Sequence, residues 1–125
     1  MDRPPGLRVT RAGTAPVLWR GEAGGQAVLV AGTQPPDVTE LWDWTLGPGE
    51  GHSSQAHATG TRELFLVLGG QVKLKVGQHA EVLATGDSAS FAGDLAHEYV
   101  NAGPAQVARF ALAVFEPSAD GGTAR

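Results

Sequence analysis

Four side chains with metal-binding or hydrogen-bonding chemistry occur at Gln55, His57, Glu63 and His97. Gln55 and His57 are two residues apart, so on an extended strand both would face the same way. Glu63 begins an apolar run that ends at a Gly-Gly pair, as a buried strand does before a turn. Imidazole and carboxylate groups that converge on one interior could bind a divalent metal ion or a polar ligand. The sequence therefore predicts a binding site without naming its ligand.

Strands in which inward-facing and outward-facing residues alternate would have to position these side chains. The clearest alternation, VTELWDWTL, places Glu40, Trp42 and Trp44 on one face of a strand over 38–46. Packing in the core or at a subunit interface is the favoured interpretation of the two tryptophans, and lining of a ligand pocket is the alternative. Glu40 is expected at the exposed end of the strand, because a buried unpaired carboxylate is costly.

Short strands separated by glycine turns account for most of the chain. Besides 38–46 and the apolar run after Glu63, they are predicted at 7–10, 16–20, 26–31, 71–76, 79–84, 88–91, 97–101 and 106–116. No stretch of about ten residues shows the 3.6-residue period of a helix. An all-β barrel or jelly-roll sandwich is therefore predicted. The last strand is apolar on both faces, which favours burial on two sides or a subunit interface.

Length and composition limit the remaining choices. A chain of 125 residues is expected to form a single domain, with 1–6 loose, the barrel over 7–117 and a disordered tail over 118–125. The net charge of −4 and the lack of a Lys/Arg cluster argue against direct nucleic-acid binding by this chain. Without cysteine there is no thiolate metal site, and no apolar stretch has the length of a membrane helix. A cytoplasmic location is predicted.

The spacing of these residues resembles the two-motif pattern of cupins. The matching positions are Gly49, Gln55, His57, Glu63 and Gly70 in the first motif, and Gly86, Ala92, Asp94, His97 and Asn101 in the second. The resemblance implies a double-stranded β-helix, the jelly-roll barrel of cupins, as a single domain. It also implies one divalent metal ion, such as Zn, Fe, Mn or Ni, bound by His57, Glu63 and His97. Gln55 stands where the family has its first histidine.

Several positions depart from the cupin pattern. Glutamine is a weaker ligand than imidazole, which favours harder ions or loss of the metal at Gln55. Five residues separate His57 from Glu63, one or two more than is usual, and Ala92 and Asp94 replace a proline and a glycine. The alternative to a metal site is therefore a set of satisfied polar groups inside the barrel.

The sequence around the first motif, HATGTRELFLVLGGQVKLKV, is similar to the C-terminal ligand-sensing cupin domain of bacterial XRE-type helix-turn-helix regulators. This implies a homodimer that binds a small-molecule effector, either as a regulator module or as a free-standing relative. The alternative is a mononuclear metal enzyme, a dioxygenase or isomerase, that uses the same His-Glu-His set. Tyr99 and Asn101 share parity with His97 and are expected in the ligand pocket, whereas His52 has opposite parity to His57 and is not.

Overall fold

Antiparallel strands form the whole regular structure of the computed structural model, which describes residues 4–104 and 106–118. Among those residues no helix is long and apolar enough to cross a membrane. The strands of this part of the chain are β1 (Val17–Arg20), β2 (Gln26–Gly32), β3 (Val38–Leu46), β4 (Gly51–Ser54), β5 (Arg62–Gly69), β6 (Gln71–Val76), β7 (His79–Ala84), β8 (Ser88–Ala92), β9 (His97–Asn101) and β10 (Ala108–Glu116).

The strands form two sheets. The larger has the order β1-β2-β3-β10-β5-β8, and the smaller has the order β4-β9-β6-β7. Every pair of neighbours is antiparallel. The two sheets enclose one apolar core, as in a double-stranded β-helix. This arrangement confirms the predicted all-β jelly-roll barrel.

Strict alternation along the strands separates the core from the outer surface. In β5, Glu63, Phe65 and Val67 are buried, and the leucines between them are exposed. Trp44 of β3 is only 6% exposed and stacks on Phe110, with ring centroids 5.6 Å apart. Because a strand has a side-chain period of two, the register that buries Phe65 also turns the Glu63 carboxylate into the barrel.

Two sharp turns need glycine. Gly70 joins β5 to β6 with φ +71°, and a Cβ there would meet the Val107 carbonyl oxygen at 2.9 Å. Gly77 opens the two-residue hairpin turn between β6 and β7 with φ +58°. Both backbone conformations are strained for other residues.

Two predicted strands differ from the structure. Residues 7–10 form no strand and are exposed, because no other strand pairs with them. The strand expected to carry Gln55 and His57 ends at Ser54, so both residues lie in the segment after β4. Of the predicted loose N-terminus, 1–3 lie outside the described residues, as do 119–125 of the predicted tail.

Candidate metal centre

Three of the four predicted ligands meet at one end of the barrel. One donor atom from each of His57, Glu63 and His97 lies within 4.8 Å of the other two. The Oε2 atom of Glu63 is 3.1 Å from Nε2 of His97 and 3.6 Å from Nε2 of His57. The closed barrel thus brings together residues that are up to 40 positions apart in the sequence.

The two strand residues of this group are buried with unpaired polar atoms. Glu63 on β5 and His97 on β9 are 1% and 3% exposed. Among the described residues, neither Oε2 of Glu63 nor Nε2 of His97 has a partner in hydrogen-bond geometry, although the two atoms are close. A buried carboxylate oxygen without a partner is costly, and a cation between the two atoms would remove that cost. The residues therefore fit a divalent metal ion held by two imidazoles and one carboxylate.

Hydrogen bonds to neighbouring groups fix the orientation of the Glu63 and His97 side chains. The Tyr99 hydroxyl donates to Oε1 of Glu63 at 3.0 Å, which leaves Oε2 for the site. Burial, followed by the Glu63 charge and this hydrogen bond, raises the pKa of Tyr99, so its hydroxyl stays a donor. Nδ1 of His97 lies 2.7 Å from the Leu95 carbonyl oxygen and donates to it, which directs the lone pair of Nε2 toward Glu63.

Opposing effects act on the pKa of His97. Burial alone lowers it, but the Glu63 carboxylate and the Leu95 carbonyl outweigh burial, and the net shift is upward. A metal ion binds the neutral form of imidazole. Binding at His97 would therefore have to displace the proton that the neighbouring carboxylate and carbonyl stabilise on its ring.

Backbone contacts hold His57 at the mouth of the barrel. Its side chain is 42% exposed, and its N–H donates to the Gly93 carbonyl at 2.9 Å. The Gly93 N–H in turn donates to the Thr61 carbonyl at 2.8 Å. A Cβ on Gly93 would lie 2.7 Å from Oε2 of Glu63, so only glycine lets this backbone pass so close to the carboxylate.

The departures from the cupin pattern compensate for one another here. Asp94, where the family has glycine, accepts a hydrogen bond from the Gly60 N–H at 3.0 Å. Gly60 lies in the longer connection between His57 and Glu63. The aspartate therefore anchors the extra residues of that connection, and His57 still reaches the site.

Gln55 is the first residue after β4. It is exposed, and within residues 4–104 and 106–118 no side-chain hydrogen bond involves it. The side chains of β4 that face the barrel are those of His52 and Ser54, because the strand ends before Gln55 and the backbone no longer alternates. A ligand role for Gln55 stays a prediction without support from its position.

The structure gives Asn101 a role different from the predicted one in the ligand pocket. Its side chain is buried and serves the backbone: Nδ2 lies within 3.1 Å of the carbonyl oxygens of Leu46, Gly47 and Gln106, and Oδ1 accepts from the Gly103 N–H at 2.8 Å. Both hydrogens of the amide are thereby used. Asn101 closes the turns at the end of the barrel away from the metal centre.

Aromatic rings extend inward from the site. Trp44 lies between Trp42 and His52, with ring centroids 6.5 Å and 4.9 Å away, and Trp19 packs against His52 at 5.3 Å. His52 was not predicted here, because it was compared with His57 as if both residues lay on one strand, and β4 ends at Ser54. The pattern that could have identified His52 is its alternation with Ser54 on β4. Burial first, and then the charge of His97, lower the pKa of His52.

Comparison with known families agrees with this fold. The sequence model of the Cupin domain family, Cupin_2, matches residues 42–115. The match spans more than half of the chain, and the chain belongs to this family. Comparison with curated proteins gave no significant match.

Solved structures show the same fold at low sequence identity. The Cupin_2 domain of an XRE family transcriptional regulator from Enterobacter cloacae has 24% identity and a TM-score of 0.62, over 73% of this chain and 97% of that one. An HTH_3 family transcriptional regulator from Vibrio cholerae has 23% identity and a TM-score of 0.63 over 74% of this chain. KdgF from Halomonas sp. has 16% identity and a TM-score of 0.66, over 89% and 94% of the two chains. This chain spans only 51% of the Vibrio cholerae protein.

Proposed function

We propose that this cupin domain binds one divalent metal ion through His57, Glu63 and His97 and senses a small molecule that coordinates the same ion. The observation that supports this most directly is the buried Oε2 of Glu63, which has no partner in hydrogen-bond geometry and lies 3.1 Å and 3.6 Å from two imidazole nitrogens. Such an arrangement is costly without a cation and is the donor set that zinc, iron, manganese or nickel accepts.

The donor count favours recognition of an external ligand. Tyr99 occupies Oε1 of Glu63, so the carboxylate offers a single oxygen and the three residues supply three donor atoms. A divalent ion with three protein donors keeps coordination positions for water or a ligand. In the sensing role, the ligand fills those positions. A separate domain would contact DNA, and the protein would be located in the cytoplasm. The fold shared with cupin domains of transcriptional regulators supports this choice.

A mononuclear metal enzyme is the alternative, since open coordination positions are also what metal catalysis requires. Ligand binding that raises the melting temperature without consumption of the ligand would support the sensor. Turnover of diketones or catechols by the iron(II)-loaded protein in the presence of oxygen would support the enzyme.

Elemental analysis tests the metal site. Purified protein loaded with Zn²⁺ and dialysed should retain about one ion per chain. His57→Ala and His97→Ala should each lose it. His79→Ala is the matched control, because His79 also lies beside a glutamate, Glu81, but both are exposed on β7. Retention of the ion by the His57→Ala, His97→Ala double variant would contradict the proposal.

We also propose that the domain is a homodimer. Its outer leucine face, formed by Leu41, Leu64, Leu66, Ala111 and Ala113, surrounds a depression of about 540 Å³ on the larger sheet. β10 runs through the middle of this face, with the leucines of β3 and β5 on either side. A twofold axis in front of β10, in the plane between two such faces, would pack the face against its own copy, as an isologous interface requires.

A further inference from the structure

Thr61 carries a buried hydroxyl group that the described residues leave without a hydrogen bond. The residue is 1% exposed, and its Oγ1 atom has no partner in hydrogen-bond geometry. A buried hydroxyl without a partner is destabilising, and valine, which has nearly the same shape, would avoid that cost. The stability of the fold thus gives no reason for a threonine at this position, which points to an acceptor from outside the chain.

Unpaired buried atoms concentrate at the candidate metal centre. In the described part of the chain four such side-chain atoms occur, and three of them belong to Thr61, Glu63 and His97. The fourth is Nε1 of Trp44 in the core. Buried residues alternate from Thr61 through Glu63 to Phe65, so Thr61 is the inward-facing position next to Glu63. Thr61 therefore lies at the same end of the barrel as the two unpaired ligand atoms.

Gly93 shows how close Thr61 is to the carboxylate. A Cβ on Gly93 would lie 2.7 Å from Oε2 of Glu63 and also 2.7 Å from Cγ2, the methyl carbon of Thr61. These two atoms are therefore no further apart than twice that distance. The Thr61 hydroxyl is attached to the same carbon as this methyl group, so it is within reach of a molecule bound to an ion beside Oε2.

Backbone hydrogen bonds hold Thr61 at the mouth of the barrel. Its N–H donates to the Ala58 carbonyl at 3.1 Å, and its carbonyl accepts from the Gly93 N–H at 2.8 Å. The Gly93 carbonyl accepts in turn from the N–H of His57. Thr61 is thus tied to the segment that carries His57, and its hydroxyl is the group that this network leaves available for a ligand.

The charge of the site favours an anion. A divalent ion bound by Glu63 and two neutral imidazoles keeps a net charge of about +1. Asp94, a second carboxylate near the mouth, accepts from the Gly60 N–H in an exposed contact, where solvent screens its charge. A monoanion on the open coordination positions would neutralise the charge that remains in the buried group.

We infer that the Thr61 hydroxyl donates a hydrogen bond to a carboxylate ligand, which has one oxygen on the metal ion and the other on Thr61. A carboxylate supplies both the single negative charge and a second acceptor beside the metal-bound oxygen. The small molecule sensed at this site would then be a monocarboxylate, a conclusion that rests on the proposed function for its metal ion.

Co²⁺-loaded protein tests this contact, because the visible absorption of the ion reports its ligands. Acetate has two oxygens, whereas thiocyanate is a linear monoanion without a second acceptor beside its metal-bound atom. Thr61→Val should weaken acetate binding about tenfold, the effect of one charge-assisted hydrogen bond, and thiocyanate binding less than about twofold. Thr61→Ser keeps the hydroxyl and should bind acetate within about threefold of the wild type.

Thr39→Val, at an exposed position on β3, is the matched control and should bind both anions as the wild type does. Three results would overturn the inference: unchanged acetate affinity in Thr61→Val, equal weakening of acetate and thiocyanate, or no binding of acetate to the wild type below about 100 mM.

Urea unfolding of the metal-free chain distinguishes a ligand contact from a structural one. Because the hydroxyl has no partner within the fold, Thr61→Val should unfold at the same urea concentration as the wild type or at a higher one. A lower midpoint would mean that the hydroxyl stabilises the fold itself and would contradict its role toward the ligand.

Metal content separates this inference from the proposed function. Thr61→Val should retain Co²⁺, because Thr61 contributes no donor to the His57–Glu63–His97 group. A wild-type chain that retains no Co²⁺ would refute the proposed function and the inference together. Retained Co²⁺ with equal weakening of the two anions would refute the inference alone.

Discussion

At the scale of single residues, the two oxygens of Glu63 have different tasks. Oε1 accepts from Tyr99, and Oε2 faces His57 and His97. Since the tyrosine hydroxyl is buried and remains protonated, it holds the carboxylate in one rotamer. The candidate metal centre is therefore preorganised by a residue that would contribute no ligand atom.

Asn101 has a structural role that can be tested. Asn101→Ala would leave three backbone carbonyls and the Gly103 N–H without this partner. We expect a loss of about 2–3 kcal/mol in the free energy of unfolding, measured by urea denaturation. Gln71→Ala, at an exposed position on the adjacent strand β6, should change it by less than about 0.5 kcal/mol. Equal effects of the two substitutions would contradict the role assigned to Asn101.

Residue spacing predicted part of this site and missed the rest for a physical reason. His57, Glu63 and His97 follow a family pattern, and parity placed Tyr99 beside them. Parity placed Asn101 with them as well, but its amide bonds to two turns, one at Gly103 and Gln106 and one at Leu46 and Gly47, and the second is more than 50 residues away, which sequence spacing does not encode. Glu40 was expected at an exposed strand end, whereas in the structure it is partly buried and bonded to Trp42.

At the scale of elements, alternation predicted most strand ends to within two residues. The predicted bounds of β3 agree with the structure at both ends, and this strand lies between β2 and β10. β4 is an edge strand of four residues, and it ends before Gln55 and His57, which were expected to lie on an extended strand. Strand ends depend on which backbone groups find partners, and residue types alone do not determine that.

Glu50 connects two loops and makes stability depend on pH. Its carboxylate accepts from the N–H groups of Ala23 at 3.0 Å and Gly47 at 2.9 Å. Burial alone raises the pKa of Glu50, but the amides of Ala23, Gly47 and Gly25 outweigh burial and lower it. A lowered pKa in the folded state stabilises the fold above the unfolded-state pKa of about 4.3, and this contribution disappears as pH falls through the folded value.

Glu50→Gln should therefore destabilise the domain by about 1 kcal/mol at neutral pH, a modest value because the carboxylate is partly solvated. The difference from the wild type should shrink as pH falls below about 4, because the wild-type carboxylate then becomes protonated as well. Unfolding free energies measured by denaturant titration from pH 7 to pH 3 would show this. A difference that stays constant over that range would contradict the role of the charge.

At the scale of the whole molecule, the outer leucine face is a large apolar surface on a domain with a net charge of −4. Leu64, on β5 beside the central strand β10, is 61% exposed. Leu64→Glu should convert the expected dimer into a monomer, because a carboxylate would be buried without a partner in the apolar interface. Light scattering after size-exclusion chromatography measures the mass. Val82→Glu, at an equally exposed position on the smaller sheet, should remain a dimer, and a monomeric wild-type protein would refute the interface.

The unequal burial of the three ligands has a kinetic consequence. Glu63 and His97 are held on paired strands inside the barrel, but His57 sits on a connecting segment and is 42% exposed. An ion bound by all three would be released when His57 swings away first, while the other two stay in place. Its residence time would then follow the local opening of one segment and not the unfolding of the barrel. Chelators could strip the domain under conditions in which it remains fully folded.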